Sequence, residues 1–373
     1  MPEVAIGIIG IGSMGFSHAK TIFDGGVKGG RLHAVCDLSQ DLLTKAKNAF
    51  GDKVLYFSNI DEFFKSSKVD GVMIATPHFS HPELGIKALK NNMHILVEKP
   101  MGVYTKQVKE LNAAAAGSGK VFSAMLNQRT RPMFIKARAL ITEGAIGDIK
   151  RVQWTITDWY RTNAYYESGS WRATWEGEGG GVLLNQSPHN LDLLQWICGM
   201  PSRIKSFCAF GKYHNIEVED DVTAYLEYPN GATGVFITST GEYPGTNRLE
   251  VIGDKGKIVI EGGDVSVWIN NQSERAWNKT NKEVWGSPGT VKTTYNFEEK
   301  TPEHKLIMQN WVNAISNNEK LIAPGHEGIN SLQLANAMLM STWQNEWVDI
   351  NFDDDAYYRL LQEKIKNSPK KKK

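Results

Sequence analysis

A buried strand, a glycine loop and a helix follow one another at the start of the chain, and they constrain its fold more than any other feature. Residues 4–9 form a continuous apolar run, as expected of a strand covered on both faces. The next residues, Gly10-Ile-Gly-Ser-Met-Gly15, match G-x-G-x-x-G. Glycines at this spacing permit a tight turn, close approach of a pyrophosphate, and close packing of the helix on the strand. The sequence therefore predicts a dinucleotide site with these cofactor-binding residues: Gly10, Gly12, Ser13, Met14 and Gly15.

Asp37 ends the second predicted strand, where an acidic side chain accepts hydrogen bonds from the adenosine ribose hydroxyls. Because a carboxylate repels a 2′-phosphate, Asp37 favours NAD. NADP stays open, since Ser39 or Lys45 could contact a phosphate.

Apolar runs alternate with amphipathic segments through the first third of the chain, which predicts an α/β fold with a doubly wound parallel sheet. After residue 149, β-branched and aromatic strands are joined by turns at Pro229-Asn-Gly and Asp254-Lys-Gly, which predicts an α+β domain with a large open, mostly antiparallel sheet. Two helices follow, at about 302–317 and 326–345. The predicted domains are residues 1–127 and 128–345, followed by a C-terminal segment, 346–373, with a disordered basic tail.

Charge and composition exclude several classes of function. The 42 basic and 41 acidic residues nearly cancel, so the sequence predicts no nucleic-acid or membrane partner. No apolar run approaches the ~20 residues of a membrane span. The 3 cysteines have no metal-site spacing, and we predict no metal. The N-terminus lacks the pattern of a signal peptide, which predicts a cytoplasmic location.

Lys99 is the first candidate for catalysis. Glu98-Lys-Pro100 closes a buried strand at the carboxyl edge of the predicted sheet, where ligands bind in doubly wound folds. Burial and the positive ring of an oxidised nicotinamide would both disfavour the ammonium form, so Lys99 could exchange protons near neutral pH.

Several ordered motifs resemble the glucose–fructose oxidoreductase / inositol dehydrogenase (Gfo/Idh/MocA) family, and the resemblance runs from Gly7 to about Trp343. They are the glycine loop and the following segments: Ala75-Thr-Pro-His-Phe-Ser-His81, Glu98-Lys-Pro100, Asn127-Gln-Arg129, Gly144-Ala-Ile-Gly147 and Gly179-Gly-Gly-Val-Leu-Leu-Asn-Gln-Ser-Pro-His189-Asn-Leu-Asp192.

The resemblance implies a Rossmann domain followed by a domain whose open sheet forms a homodimer or homotetramer. It implies that Lys99 is the active-site lysine and that His189 is the acid/base on the substrate side. Thr76 and Pro77 would line the nicotinamide. The other predicted cofactor-binding residues on this side are His81, which would cap the following helix, Glu98 and Lys99. The matched segment Asn127-Gln-Arg129 places Asn127 and Arg129 among the substrate-binding residues.

One departure from the family pattern concerns Asn185. Many members carry an aspartate four residues before the histidine, and an amide can orient an imidazole or bond a hydroxyl but carries no charge. Either Asn185 positions the substrate, or Asp192 supplies the charge, unless Asp192 is only a structural acid.

The segment 158–178 is rich in aromatic and basic residues, which suit the faces and hydroxyls of a sugar or cyclitol. The same aromatics could instead pack a core or a subunit interface. The candidate substrate-binding residues of this region are Trp159, Arg161, Tyr165, Arg172, Asn185 and His189, together with Lys99. We interpret His33, His94 and His304 as structural residues away from the motifs.

These observations predict an NAD(P)-dependent dehydrogenase that oxidises a secondary hydroxyl of a sugar, sugar derivative or inositol, with Lys99 and His189 handling the proton. Two alternatives stay open. One is an NAD-dependent glycosidase that uses transient oxidation and elimination. The other is a non-catalytic cofactor-sensing regulator, which would have no need of a proton donor.

Overall fold

The chain is divided into two compact units, Met1–Thr130 with Pro302–Leu332, and Arg131–Thr301 with Gln333–Lys373. The structure, a computed structural model, describes residues 3–169, 171–297 and 301–368. The sequence predicts a boundary at residue 127 and one continuous second domain to 345. The chain instead returns to the first unit over 302–332, and the predicted basic tail from 369 onward lies outside the described residues.

A parallel sheet forms the centre of the first unit. Among the described residues it has six strands in the order β3-β2-β1-β4-β5-β6, which is the strand order of a doubly wound dinucleotide-binding fold and confirms the predicted fold class. Each predicted apolar run is a strand here, and Ile6, Ile8 and Ile95 are completely buried. The strands are β1 (Val4–Ile9), β2 (Gly30–Cys36), β3 (Leu55–Phe57), β4 (Gly71–Ile74), β5 (His94–Val97) and β6 (Phe122–Ala124).

The helices of the first unit begin and end at local signals in the sequence. Ser39 caps α2 by accepting a hydrogen bond from the backbone of Leu42, and Gly51, at φ +63°, ends it. Asn59 caps α3 in the same way. The helices of this unit are α1 (Ser13–Phe23), α2 (Gln40–Phe50), α3 (Ile60–Ser66), α4 (His81–Lys90), α5 (Thr105–Ala116) and α10 (Glu303–Asn317).

Close packing explains why 302–332 belongs to the first unit. Trp311 of α10 is almost completely buried against Gly71 of β4, where an added Cβ would lie only 2.8 Å from the indole ring. Val312 packs in the same way on Gly30 of β2, where an added Cβ would lie 3.2 Å from a methyl carbon of Val312. Glycines on two strands thus make room for large side chains of α10.

A mostly antiparallel sheet forms the second unit. Among the described residues its order is β14-β13-β12-β11-β7-β10-β9-β8-β15, and the β10–β7 pair alone is parallel. This confirms the predicted open sheet. Its strands are β7 (Ile149–Ile156), β8 (Arg203–Phe210), β9 (Glu219–Glu227), β10 (Thr233–Ser239), β11 (Asn247–Gly253), β12 (Gly256–Glu261), β13 (Asp264–Asn270), β14 (Thr290–Tyr295) and β15 (Val348–Asp349).

One face of this sheet is buried and the other is open. In β9, Val222, Ala224 and Leu226 are completely buried, whereas Thr223 and Tyr225 between them are exposed, as the period of two in a strand requires. The remaining helices are α6 (Pro132–Thr142), α7 (Asn163–Glu167), α8 (Pro188–Cys198), α9 (Glu274–Thr280) and α12 (Asp354–Lys366), with α11 (Ile329–Gln344) running from one unit's segment into the other's.

Within the described ranges, no helix is both long and apolar enough to cross a bilayer.

Candidate active site

The glycine loop between β1 and α1 has the shape that the motif predicts. Gly10 adopts φ +85°, and a Cβ there would lie 2.7 Å from the carbonyl oxygen of Ala75. A Cβ on Gly15 would lie 1.9 Å from the carbonyl oxygen of Gly10. Gly12, by contrast, would meet no protein atom within 4 Å. Two glycines therefore close the turn, and the third leaves open space beside the start of the helix.

That open space fits a dinucleotide pyrophosphate. Gly12 is the N-cap of α1, so the backbone N–H groups of the first turn, which includes Ser13 and Met14, have no partner within the helix and can donate to an anion. No acidic residue stands in that turn to repel a phosphate.

Asp37 is tied to the glycine loop by its own carboxylate. Its Oδ2 accepts a hydrogen bond from the backbone N–H of Ile11 at 2.8 Å, and its Oδ1 accepts one from Ser39 at 2.8 Å. The acid predicted to contact the ribose therefore also fixes the backbone inside the motif. Residues at the carboxyl ends of two neighbouring strands are held together in this way.

Thr76 and Pro77 follow β4 on the side of the loop where Gly10 lies. The methyl group of Thr76 would be 2.9 Å from a Cβ on Gly10, and the Thr76 hydroxyl pairs with Ser80 at 2.7 Å. The two segments predicted to contact the cofactor are thus neighbours within the first unit.

His81 has a different local role from the predicted one. Ser80, not His81, is the N-cap of α4, and no side chain caps that helix. Instead, His81 is buried with Nδ1 2.8 Å from the carbonyl oxygen of Pro100 and Nε2 2.6 Å from that of Thr76. Burial lowers the pKa of His81. The prediction of a helix cap is wrong, because the ring lies between the Thr76 loop and the segment after Lys99.

Glu98 carries a buried negative charge next to Lys99. Its Oε1 lies 2.7 Å from Nε2 of His18, and its Oε2 accepts from the backbone N–H of Lys99 at 3.1 Å. Burial alone would raise the pKa of Glu98, but the hydrogen bond and charge of His18, with Lys99 and His304 nearby, lower it to about 2. Glu98 is therefore ionised at neutral pH.

His304 belongs to this group, so the prediction that it lies away from the motifs is wrong. Its ring centroid is 5.4 Å from that of His18, because α10 packs back on the first unit. Burial lowers its pKa. Sequence reasoning missed both His18 and His304, since neither lies in a motif.

Asn127 and Arg129 also lie in the first unit and are buried. Asn127 donates from Nδ2 to Oε2 of Glu303 at 2.7 Å, and Arg129 pairs with Glu327. Both carboxylates come from the returning segment 302–332. Contact of Asn127 and Arg129 with a substrate stays a prediction.

Tyr165 is the centre of the candidate substrate-binding residues in the second unit. The guanidinium of Arg161 lies 5.0 Å from its ring centroid, and that of Arg172 lies 4.7 Å away. Arg161 also lies 5.6 Å from the ring of Trp159. Two predicted substrate residues, Arg161 and Arg172, thus lie against the Tyr165 ring, and a third, Trp159, lies beside Arg161. Other aromatics of the segment behave differently, since Tyr166 and Trp175 are buried in the core.

The Tyr165 hydroxyl joins these cations to Asn185. It accepts from Nη1 of Arg172 at 3.0 Å and from Nε2 of Gln186 at 3.1 Å, and it donates to Oδ1 of Asn185 at 3.5 Å. Asn185 in turn donates from Nδ2 to Glu178. Gln186 and Glu178 belong to this group but were not among the predicted site residues. The signal in the sequence that could have indicated Glu178 is its place at the end of the aromatic and basic segment 158–178.

His189 and Asp192 lie on α8, which begins at Pro188. His189 is half-buried, and Asp192 is buried and accepts from Nε2 of Gln195 at 3.0 Å. The acid/base role of His189, like the roles of the other site residues, stays a prediction. No group of three or more metal-binding side chains occurs in the part of the chain that the structure describes.

Glu219 is a buried acid under the glycine turn that leads to α8. Its Oε1 accepts from the backbone N–H groups of Gly181 and Leu183 at 2.8 and 3.0 Å, whereas its Oε2 has no hydrogen-bond partner among the described residues. Burial raises its pKa to about 7. Glu219 therefore holds a proton at mildly acid pH.

Glu219→Gln is expected to remove a pH dependence of stability. Between about pH 4.5 and 7 the folded state keeps a proton on Glu219 that the unfolded chain releases, so raising the pH favours unfolding. The loss for the wild type amounts to up to about 3 kcal/mol by pH 8. Thermal unfolding at pH 5 to 8 should show a shallower decline for Glu219→Gln than for the wild type or for the exposed control Glu346→Gln. Parallel curves for all three proteins would contradict this assignment.

Comparison with known families decides the identity of the fold. The family model described as "Oxidoreductase family, NAD-binding Rossmann fold" matches residues 4–126, and the GFO/IDH/MocA C-terminal domain matches residues 134–259. The chain belongs to the GFO/IDH/MocA family. This GFO/IDH/MocA protein is therefore an oxidoreductase with an NAD-binding domain, as its glycine loop and Asp37 predict.

Among curated relatives, scyllo-inositol 2-dehydrogenase (NAD(+)) of Bacillus subtilis is 27% identical over 265 residues, which cover 69% of this chain and 74% of the relative. Inositol 2-dehydrogenase of Rhizobium meliloti is 23% identical over 361 residues, covering 93% of this chain and 99% of the relative.

Solved structures show the same fold over almost the whole GFO/IDH/MocA chain. The WlbA dehydrogenase of Bordetella pertussis, in complex with NADH and UDP-GlcNAcA, is 24% identical with a TM-score of 0.79, covering 94% of this chain and 100% of that one. A levoglucosan dehydrogenase in complex with NADH and L-sorbose is 21% identical with a TM-score of 0.78, covering 95% and 100%.

Proposed function

We propose that this oxidoreductase oxidises a secondary hydroxyl of a sugar, a sugar derivative or an inositol. The observation that carries the proposal is the group around Tyr165, in which aromatic rings, two guanidinium groups and the Asn185 amide are connected within the second unit. Aromatic faces suit the C–H faces of a ring polyol, and the polar groups suit its hydroxyls. The names of the Bacillus subtilis and Rhizobium meliloti relatives support an inositol as one member of this class.

The chain's own residues divide the work of this reaction. Gly12, the first turn of α1 and Asp37 would hold NAD, which when bound supplies the hydride acceptor. His189 accepts the proton of the substrate hydroxyl. Lys99 donates a hydrogen bond to that oxygen and stabilises its negative charge as the proton leaves. In the reverse direction the two residues return the proton.

An absorbance assay at the nicotinamide band tests the function. Purified protein is mixed with NAD⁺ or NADP⁺ and with myo-inositol, scyllo-inositol, aldoses or p-nitrophenyl glycosides. We expect net reduction of NAD⁺ by at least one polyol. Release of nitrophenol without net reduction would favour the glycosidase, and binding of NADH with no turnover of any probe would favour the regulator. Either result would overturn the proposal that the protein is a dehydrogenase.

A preference for NAD over NADP is expected from Asp37. Its carboxylate would face the added 2′-phosphate, so NADPH should bind at least about tenfold more weakly than NADH. Asp37→Ser removes the charge and should narrow this ratio, at some cost in NADH affinity because the bonds to Ile11 and Ser39 are lost. Titrations followed by cofactor fluorescence measure both constants. Equal affinities in the wild type would contradict the role of Asp37.

We also propose a homodimer or homotetramer formed through the open sheet, and a cytoplasmic location. The open face carries exposed aromatic side chains that a second subunit could cover, among them Phe207, Tyr225 and Trp347, which are 63%, 40% and 42% exposed.

A further inference from the structure

Glu178 is a buried carboxylate in the turn that precedes Asn185. Only 2% of the residue is exposed. Its Oε2 accepts from the backbone N–H of Ala173 at 2.6 Å, and its Oε1 accepts from Nδ2 of Asn185. A carboxylate so placed needs donors on both oxygens, because leaving a buried charge without hydrogen bonds is costly.

The hydrogen bond to Glu178 fixes which way the Asn185 amide points. An ionised carboxylate only accepts hydrogen bonds, so the amide must turn its NH₂ group toward Glu178. The amide oxygen then lies on the other side, 3.5 Å from the hydroxyl of Tyr165.

The Tyr165 hydroxyl agrees with this orientation. Its oxygen accepts from Arg172 at 3.0 Å and from Gln186 at 3.1 Å, so its single hydrogen is left to donate to Oδ1 of Asn185. With the amide reversed, three donors would converge on one hydroxyl oxygen, and the amide oxygen would face the carboxylate of Glu178. The hydrogen bonds that connect Ala173, Glu178, Asn185, Tyr165 and Arg172 therefore pair every donor with an acceptor in only one orientation of the Asn185 amide.

We propose that Glu178 is a positioning residue that holds Asn185 with its amide oxygen toward Tyr165, so that this group offers an acceptor to a substrate hydroxyl. The inference rests on the proposed function for its substrate, a ring polyol. The proposal assigns a role to Glu178, an acid that was not among the predicted site residues. Glu178 acts through the Asn185 amide, so no charge is needed at position 185 itself.

A double-mutant cycle that exchanges the acid and the amide of Glu178 and Asn185 tests this role. Glu178→Gln places two amides together, allows Asn185 to turn round, and is expected to lower kcat/KM for the most active polyol by about 10- to 100-fold. Asn185→Asp brings a half-buried carboxylate into contact with the buried one of Glu178 and is expected to lower the Tm by several degrees, more at pH 8 than at pH 5. In the double variant, the glutamine oxygen can still accept from Ala173 and its NH₂ group can donate to the new carboxylate. Activity and Tm should therefore recover to near wild-type values.

The controls separate positioning from general damage. Glu176→Gln changes an exposed acid two residues away and should alter neither Tm nor kcat/KM. The affinity for NADH, measured by its fluorescence, should be the same in all variants. Additive Tm losses without recovery in the double variant would overturn the pairing of Glu178 with Asn185. If the Tm recovers in the double variant but Glu178→Gln keeps full activity, the two residues interact and the positioning role of Glu178 is overturned.

The Tm cycle needs no substrate, so it is independent of the proposed function. If the wild type reduces NAD⁺ with none of the polyols, the dehydrogenase proposal fails, and so does a role for Glu178 in binding a polyol. The unfolding data then still decide the orientation of the Asn185 amide.

Discussion

Lys99→Met is expected to lower kcat for polyol oxidation by about 10²- to 10⁴-fold, the range for loss of a general acid–base group. Methionine keeps much of the length and the apolar stem of lysine but has no N–H to donate and no charge. Lys99 follows β5, at the edge of the sheet where the Asp37 carboxylate also lies. Since the glycine loop and Asp37 are unchanged, NADH should still bind.

A comparison with three further proteins isolates what Lys99 does. Lys90→Met changes an exposed lysine at the end of α4 and should leave kcat unaltered. Lys99→Arg keeps the positive charge beside Glu98 but cannot release a proton, so it separates charge stabilisation from proton transfer. His189→Gln should lower kcat as well. Turnover by Lys99→Met within about threefold of the wild type would refute the catalytic role of Lys99.

The sequence predicts those parts of the fold that depend on neighbouring residues. The run Val4–Ile9 and the glycines after it are recognised by local rules, and each is where it was expected. The return of Pro302–Leu332 to the first unit was not foreseen. It depends on Trp311 and Val312 fitting over glycines far away in the chain, which no local pattern reveals.

The same limit applies to the candidate site. The aromatic and basic composition of 158–178 was enough to select Arg161, Tyr165 and Arg172 as candidate substrate-binding residues, and the three side chains do cluster. The contact of Glu178 with Asn185 depends on how the glycine-rich turn folds. His304 joins His18 only because α10 packs on the first unit. Motifs thus indicated the candidate cofactor-binding side chains, whereas the contacts of Glu178 and His304 had to be seen in three dimensions.

Gly12→Val is expected to abolish NAD binding while leaving the fold of the protein intact. A Cβ at Gly12 meets no protein atom within 4 Å, so the protein has room for a side chain there. The backbone of Gly12, at φ −60° and ψ −161°, lies just outside the β region of residues with a side chain, so the apo protein should fold with a small loss of Tm. The added atoms would occupy the space that a pyrophosphate needs beside the first turn of α1. We expect at least a 100-fold loss of NADH affinity, measured by fluorescence titration, which corresponds to about 3 kcal/mol.

Two other glycines make this expectation specific. Gly15→Ala would bring a Cβ to 1.9 Å from the carbonyl oxygen of Gly10, so it should lower the Tm as well as the affinity. Gly117→Ala, at a helix end with nothing within 4 Å of the new atom, should change neither. A Gly12→Val protein that binds NADH normally would show that the cofactor does not approach the backbone at this glycine. A Gly12→Val protein that loses as much Tm as Gly15→Ala would show instead that the open space is filled by the protein itself. Loss of affinity with only a small loss of Tm places the pyrophosphate against Gly12.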